Sequence, residues 1–98
     1  MNSTVVYPKT MGFLEVTVTP GLWGAENREQ ITTLVERYLY GGFYVESLDL
    51  TEIWDDQPRW RVIVRFRAHS IDGANDQIAR LNSGGMSAVI AATYERNS

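Results

Sequence analysis

Ninety-eight residues, 44% of them hydrophobic and 21% charged, make one ordinary globular domain and leave no room for two. Nine basic against twelve acidic residues give a formal charge of −3, which argues against phosphate-driven nucleic-acid binding. There is no cysteine and one histidine, His69, so disulfides, thiolate metal sites, thiol nucleophiles and multi-histidine metal centres are all excluded.

No apolar run approaches the ~20 residues of a membrane span. The N-terminus has no basic segment followed by an apolar stretch, so no secretory signal is read and the cytoplasm is the expected compartment. A chain of this length buries roughly 60–65% of its unfolded surface, enough for a core without staples.

In chain order, residues 1–12 show no sustained period and read as a tail, with Val5, Val6 and Tyr7 able to dock on the body. A single domain is expected over residues 13–98. Residues 13–19 alternate: Leu14, Val16 and Val18 share one face, and Phe13, Glu15, Thr17 and Thr19 the other. Period two with β-branched residues predicts a half-buried strand, ended by Pro20-Gly21. Residues 27–40 predict a helix, with Ile31, Leu34, Val35, Tyr38 and Leu39 on one stripe. Asn27 and Gln30 suit a capping box, and Gly41-Gly42 a left-handed stop.

Residues 43–54 and 59–68 predict a hairpin around Asp55-Asp56-Gln57-Pro58. Trp60, Val62, Val64, Phe66 and Ala68 share the core face of its second strand; Arg59, Arg61, Ile63, Arg65 and Arg67 share the outer one. Leu48 and Leu50 face the core from the first strand, and Asp49, Thr51 and Ile53 face outward. The favoured register sets Leu50 opposite Val64, Leu48 opposite Phe66, Trp54 opposite Trp60 and Asp49 opposite Arg65. Val45 is out of phase with Leu48, which predicts a bulge or bend between them. Ser70 or Asp72 caps a second helix running to about Asn82, with Ile71, Ala74, Ile78 and Leu81 inward and Ser83-Gly84-Gly85 as its stop. Residues 86–95 form the last strand. Ala88, Ile90, Ala92 and Tyr94 are in phase there, while Val89 and Ala91 compete for the core, so both faces stay open.

The order β-α-β-β-α-β predicts an α+β, ferredoxin-like fold: a four-stranded antiparallel sheet with both helices on one face. Right-handed crossovers put the first and third strands at the centre. The other sheet face then has no cover from this chain.

Little here carries catalysis. His69 beside Ser70 and Asp72 reads as a junction histidine rather than part of a triad. Asp55-Asp56 reads as turn chemistry rather than an acid–base pair. Glu46, Asp49 and Glu52 lack the spacing of a calcium loop, and no phosphate-binding or nucleophile-elbow motif is present. No catalytic residue, metal or cofactor is therefore expected. On the outer face, Arg61, Arg65 and Arg67 invite an RNA reading, but an RNA-binding sheet stacks bases on outward aromatics. Trp60 and Phe66 point to the core, leaving only Phe13. Five acidic residues on the neighbouring segment offer cross-strand partners for the arginines. Trp23, in the loop after the first strand, reads either as docked on its own domain or as an exposed anchor for a partner.

The run Leu14-Glu15-Val16-Thr17-Val18-Thr19-Pro20-Gly21-Leu22, then a helix, then Gly42-Phe43-Tyr44-Val45-Glu46-Ser47, resembles the ACT-domain family of regulatory modules over roughly residues 14–68. That resemblance implies the same βαββαβ fold and binding of an amino acid or related small ligand between paired domains, with Pro20, Gly21, Leu22 and Trp23 as ligand-side loop residues. Two features depart from the family pattern: residues 23–26 lengthen the turn, and Thr19 stands where an acidic residue usually precedes Pro-Gly. Cofactor-free dimeric α+β barrel enzymes share the architecture by fold analogy alone.

The expected function is a non-enzymatic binding or regulatory module. It acts through Phe13, Thr17, Ile53, Arg61, Ile63, Arg65 and Arg67 on the open face, as a homodimer or with a protein partner. The alternatives are ACT-like ligand binding, a small phage-type or accessory protein that inhibits a host protein, and a dimeric barrel enzyme.

Overall fold

A computed structural model describes residues 9–39 and 43–95. The predicted docking of Val5, Val6 and Tyr7 and the predicted stop at Gly41-Gly42 lie outside the described residues. The elements run β1 (Thr10–Val18), α1 (Arg28–Arg37), β2 (Phe43–Ile53), β3 (Arg59–Ala68), α2 (Ile71–Ser83) and β4 (Ser87–Glu95). They form one antiparallel sheet in the order β2-β3-β1-β4, the ferredoxin-like arrangement. As the crossover rule requires, β1 and β3 are the central pair. No helix among the described residues is long and apolar enough to cross a membrane.

The core follows from two periodicities meeting. Leu14, Val16 and Val18 of β1, and Trp60, Val62, Val64, Phe66 and Ala68 of β3, turn to the helices and are buried. Ile31, Leu34 and Val35 of α1 and Ala74 and Leu81 of α2 complete that layer. Helix α1 starts on the predicted capping box. Asn27 Oδ1 accepts the Gln30 amide at 2.8 Å, and Gln30 Oε1 accepts the Asn27 amide at 3.3 Å. Arg28, in the first turn, donates to the Leu50 carbonyl at 3.0 Å and stands 5.6 Å from the centre of the Trp60 ring. One cation thereby ties the helix start to β2 and β3.

Four expectations are corrected. First, β1 begins at Thr10, so Thr10, Met11 and Gly12 belong to the sheet rather than to a tail. Thr10 is buried and donates to Glu95 on β4 at 3.2 Å. Second, the hairpin register is shifted by two residues. Leu50 faces Val62, Leu48 faces Val64, Asp49 faces Ile63, and Ile53 faces Arg59. A two-residue shift leaves every side chain on its predicted face and changes every partner.

The turn explains the shift. Asp55 accepts the Gln57 amide at 2.8 Å, and Arg59 donates to both Asp55 oxygens at 2.8 and 3.0 Å and to the Gln57 carbonyl at 2.9 Å. Pro58 has no amide to give. This compact loop closes directly on Ile53 and Arg59, so Trp54 stays outside the ladder, 78% exposed, instead of pairing with Trp60. The predicted irregularity near Val45 is present as a register shift between Val45 and Ser47, which makes Glu46 the extra residue.

Third, Ile71 is exposed, while the inward positions of α2 include Gln77, which is buried. Fourth, β4 changes phase along its length. Leu14 faces Ile90, but Phe13 faces Ala92, so Ala91 is bulged out. Ala88 and Ile90 pack on the helix side, whereas Ala92 and Tyr94 come out opposite Phe13 and Met11 on the other face.

Two glycine positions are required by close approach. A Cβ on Gly12 would collide with the Ala92 carbonyl oxygen at the bulge. A Cβ on Gly84, the α2 cap, would lie 2.7 Å from the Tyr38 ring.

Candidate functional site: the open sheet face

The face away from the helices is a grid of four cross-strand rows. Reading from β2 to β4, the rows are Thr51-Arg61-Thr17-Ser87, Asp49-Ile63-Glu15-Val89, Ser47-Arg65-Phe13-Ala92 and Tyr44-Arg67-Met11-Tyr94. Phe13, Thr17, Arg61, Ile63, Arg65 and Arg67 are brought together as expected. Ile53 is not among them. It pairs with Arg59 beyond the last four-strand row, at the hairpin end, where it borders a groove of ≈ 210 Å³ with Pro20, Trp54 and Pro58.

The grid divides lengthwise. Its β2–β3 half is charged, and the charges are met locally. The bulge at Glu46 carries its carboxylate to Arg67 Nε at 3.1 Å and Arg65 Nε at 3.9 Å. Arg61 Nε lies 3.8 Å from Glu15 on β1. The Arg65 guanidinium stands 6.0 Å from the centre of the Phe13 ring, a cation–π distance. Exposed pairs of this kind each contribute about 0–1 kcal/mol. Their consequence is compensation: the arginines do not present a bare positive surface. The expected Asp49–Arg65 pairing does not occur, because the register sets Asp49 against Ile63.

On the β1–β4 half, Glu15, Thr17 and Ser87 are polar, but the rows Phe13-Ala92 and Met11-Tyr94, with Val89, form an apolar strip. Met11 and Phe13 are half-buried, Val89 and Tyr94 are each 54% exposed, and Ala92 lies between them. Met11, Val89, Ala92 and Tyr94 were not in the predicted surface. Met11 falls in the expected tail; Ala92 and Tyr94 share a sequence phase with Ala88 and Ile90 that the bulge at Ala91 breaks, and Val89 competes with them for the core.

The loop candidates lie elsewhere, at the sheet end. Gly21 adopts φ 90°, and Leu22–Gly24 forms a 3₁₀ turn in which Trp23 takes a left-handed φ of 50°. The Trp23 indole donates to the Gly84 carbonyl at 2.6 Å, while its ring stays 70% exposed. Trp23 is therefore docked on its own domain through its indole N–H, while its ring is exposed to solvent. It borders a shallow depression of ≈ 440 Å³ with Gln30, Thr33, Leu34 and Arg37 of α1.

His69 is exposed and meets the Tyr44 ring edge-on at 6.0 Å. Comparison of the chain with family models, with curated proteins and with solved structures finds no match.

Proposed function

We propose that the chain is a non-enzymatic binding module that meets a second protein surface, its own copy or a partner, through the open sheet face. The observation that supports this reading most directly is the split of that face. A partly exposed apolar strip of Phe13, Val89, Ala92 and Tyr94 lies beside arginines already matched by Glu15 and Glu46. An apolar patch flanked by compensated charge is the composition of a protein interface. A nucleic-acid surface needs uncompensated cations and outward stacking aromatics instead.

The test is light scattering and a partner-capture assay on wild type and Arg65→Glu. Reversing Arg65 sets a second carboxylate beside Glu46 and removes the cation over Phe13. Association, whether with itself or with the captured protein, is expected to weaken by about tenfold or more, the effect of a misplaced interface charge. Unchanged association in both assays removes this face from the interface.

A further inference from the structure

The sheet ends in two unlike edges, β2 and β4. Natural edge strands are blunted by charges, proline, bulges or a covering segment, because an open ladder recruits other chains. The β2 edge is blunted: it carries Glu46, Asp49 and Glu52, and its ladder is interrupted at Glu46. The β4 edge is not. Its sequence is Ser-Ala-Val-Ile-Ala-Ala-Thr-Tyr-Glu, with one charge at the final position and no proline or lysine. Its own bulge, at Ala91, turns Ala92 and Tyr94 onto the open face but sets no charge at the edge.

The direction of the edge amides is also fixed. The Ala88 amide points away from β1 and is taken by Asn82 Oδ1 at 2.9 Å, so Asn82 covers the first rung of the edge. Antiparallel alternation then points the Ile90 amide the same way. Among the described residues no strand lies beyond β4.

We infer that β4 is a pairing edge, through which two copies of this chain join antiparallel about a two-fold axis normal to the sheet. The product is one continuous sheet of twice four strands with all helices on one side. A second copy is the occupant that the charges favour. Two β4 strands bring no like charges face to face along their length, whereas two β2 strands would oppose acidic residues. Pairing β4 with the β2 edge of another copy gives a head-to-tail contact that does not close, and the Glu46 bulge interrupts it. The two-fold also joins the apolar strips of Val89, Ala92 and Tyr94 from both copies into one wider patch. The edge contact stands apart from whatever covers the open face.

The experiment separates the two. Thr93 lies on the helix side of the sheet, opposite Gly12, and Ala91 lies in the bulge, so lysine at either place charges the edge and leaves the central rows of the open face alone. Sedimentation of the full chain at about 50 µM, a concentration at which a micromolar dimer is populated, is expected to show a dimer. Ala91→Lys and Thr93→Lys are each expected to weaken it by about tenfold or more. A wild-type monomer overturns the inference. So does a dimer that persists in both lysine variants and dissociates only in Arg65→Glu, which leaves the open-face reading intact. Dissociation by the lysines with an unaffected Arg65→Glu dimer supports edge pairing and removes self-association through the face.

A second arm does not depend on how lysine is tolerated. The chain has no cysteine, so single substitutions report cleanly. At least one of Val89→Cys, Ala91→Cys and Thr93→Cys, which span the middle of β4, is expected to form a covalent dimer under mild oxidation faster than Thr51→Cys on β2. Equal rates for all four overturn the inference.

Discussion

Strand β3 has two sides that differ in everything except backbone. On the helix side, Val62, Val64, Phe66 and Ala68 are fully buried and Trp60 nearly so. On the open side, Arg61, Arg65 and Arg67 reach past Ile63 to carboxylates on both neighbouring strands. Adjacent residues thus serve different ends. The first set removes apolar surface from water and holds the fold. The second contributes little to folding, because exposed ion pairs stabilise weakly.

The most severe way to challenge that contrast is to truncate neighbours on opposite faces. Phe66→Ala is expected to cost about 3–5 kcal/mol, the usual range for deleting a buried aromatic ring. Arg65→Ala, one residue earlier, is expected to stay within about 0.5 kcal/mol of wild type. Urea denaturation of the two variants checks both numbers. Similar losses for the two would mean that the open face is part of the folding core, and the proposal of recognition through it would lose its physical basis.

The same division explains what the sequence makes legible. Where one face is uniformly apolar, period two is unambiguous, so Leu14, Val16 and Val18, and the five core residues of β3, are assigned from pattern alone. The βαββαβ order and the central β1–β3 pair follow from them. The capping box at Asn27 is legible because its two side chains have one geometric partner each. The hairpin register is not, since faces survive a two-residue shift and the choice rests on how Asp55 and Arg59 close the turn. The apolar strip of the open face is hidden for a related reason. In β4, alanine, valine and isoleucine alternate with one another, and a bulge at Ala91 reverses the phase where no residue type announces it. The charged half is legible, but its pairing is not: Glu46 reaches Arg65 and Arg67 because it is the extra residue of a bulge.

A subtler probe acts where the two sides meet. Gly12 lies on β1 between the buried Thr10 and Leu14, and its missing side chain is what admits the Ala92 carbonyl at the β4 bulge. Gly12→Ala is expected to cost about 1–3 kcal/mol through overpacking. Backbone has to move to relieve the collision, so the loss should be accompanied by faster amide exchange in residues 91–95, with β3 unaffected. Wild-type stability together with unchanged exchange would show that the bulge has room to spare, and that the phase change delivering Ala92 and Tyr94 to the open face is not held in place by this glycine.

The smallest expected effect is at the hairpin turn, where charge and register are coupled. The Asp55 carboxyl sits below the usual carboxylate range, first because it accepts the Gln57 amide and then because Arg59 binds it. A carboxylate with a lowered folded-state value adds stability that is complete above its ordinary value and is lost as pH falls through the lowered one. Near neutral pH the turn is therefore fully formed, and only acid loosens it. The side chain is exposed, so global unfolding should scarcely respond. The change is expected in local signals: the Gln57 amide and the Arg59 guanidinium resonances should titrate together in acid, with Asp55→Asn abolishing the response. If those signals titrate at the ordinary carboxylate position, or do so independently of Asp55, then Asp55 does not define the loop that closes on Ile53 and Arg59, and the two-residue register shift needs another cause.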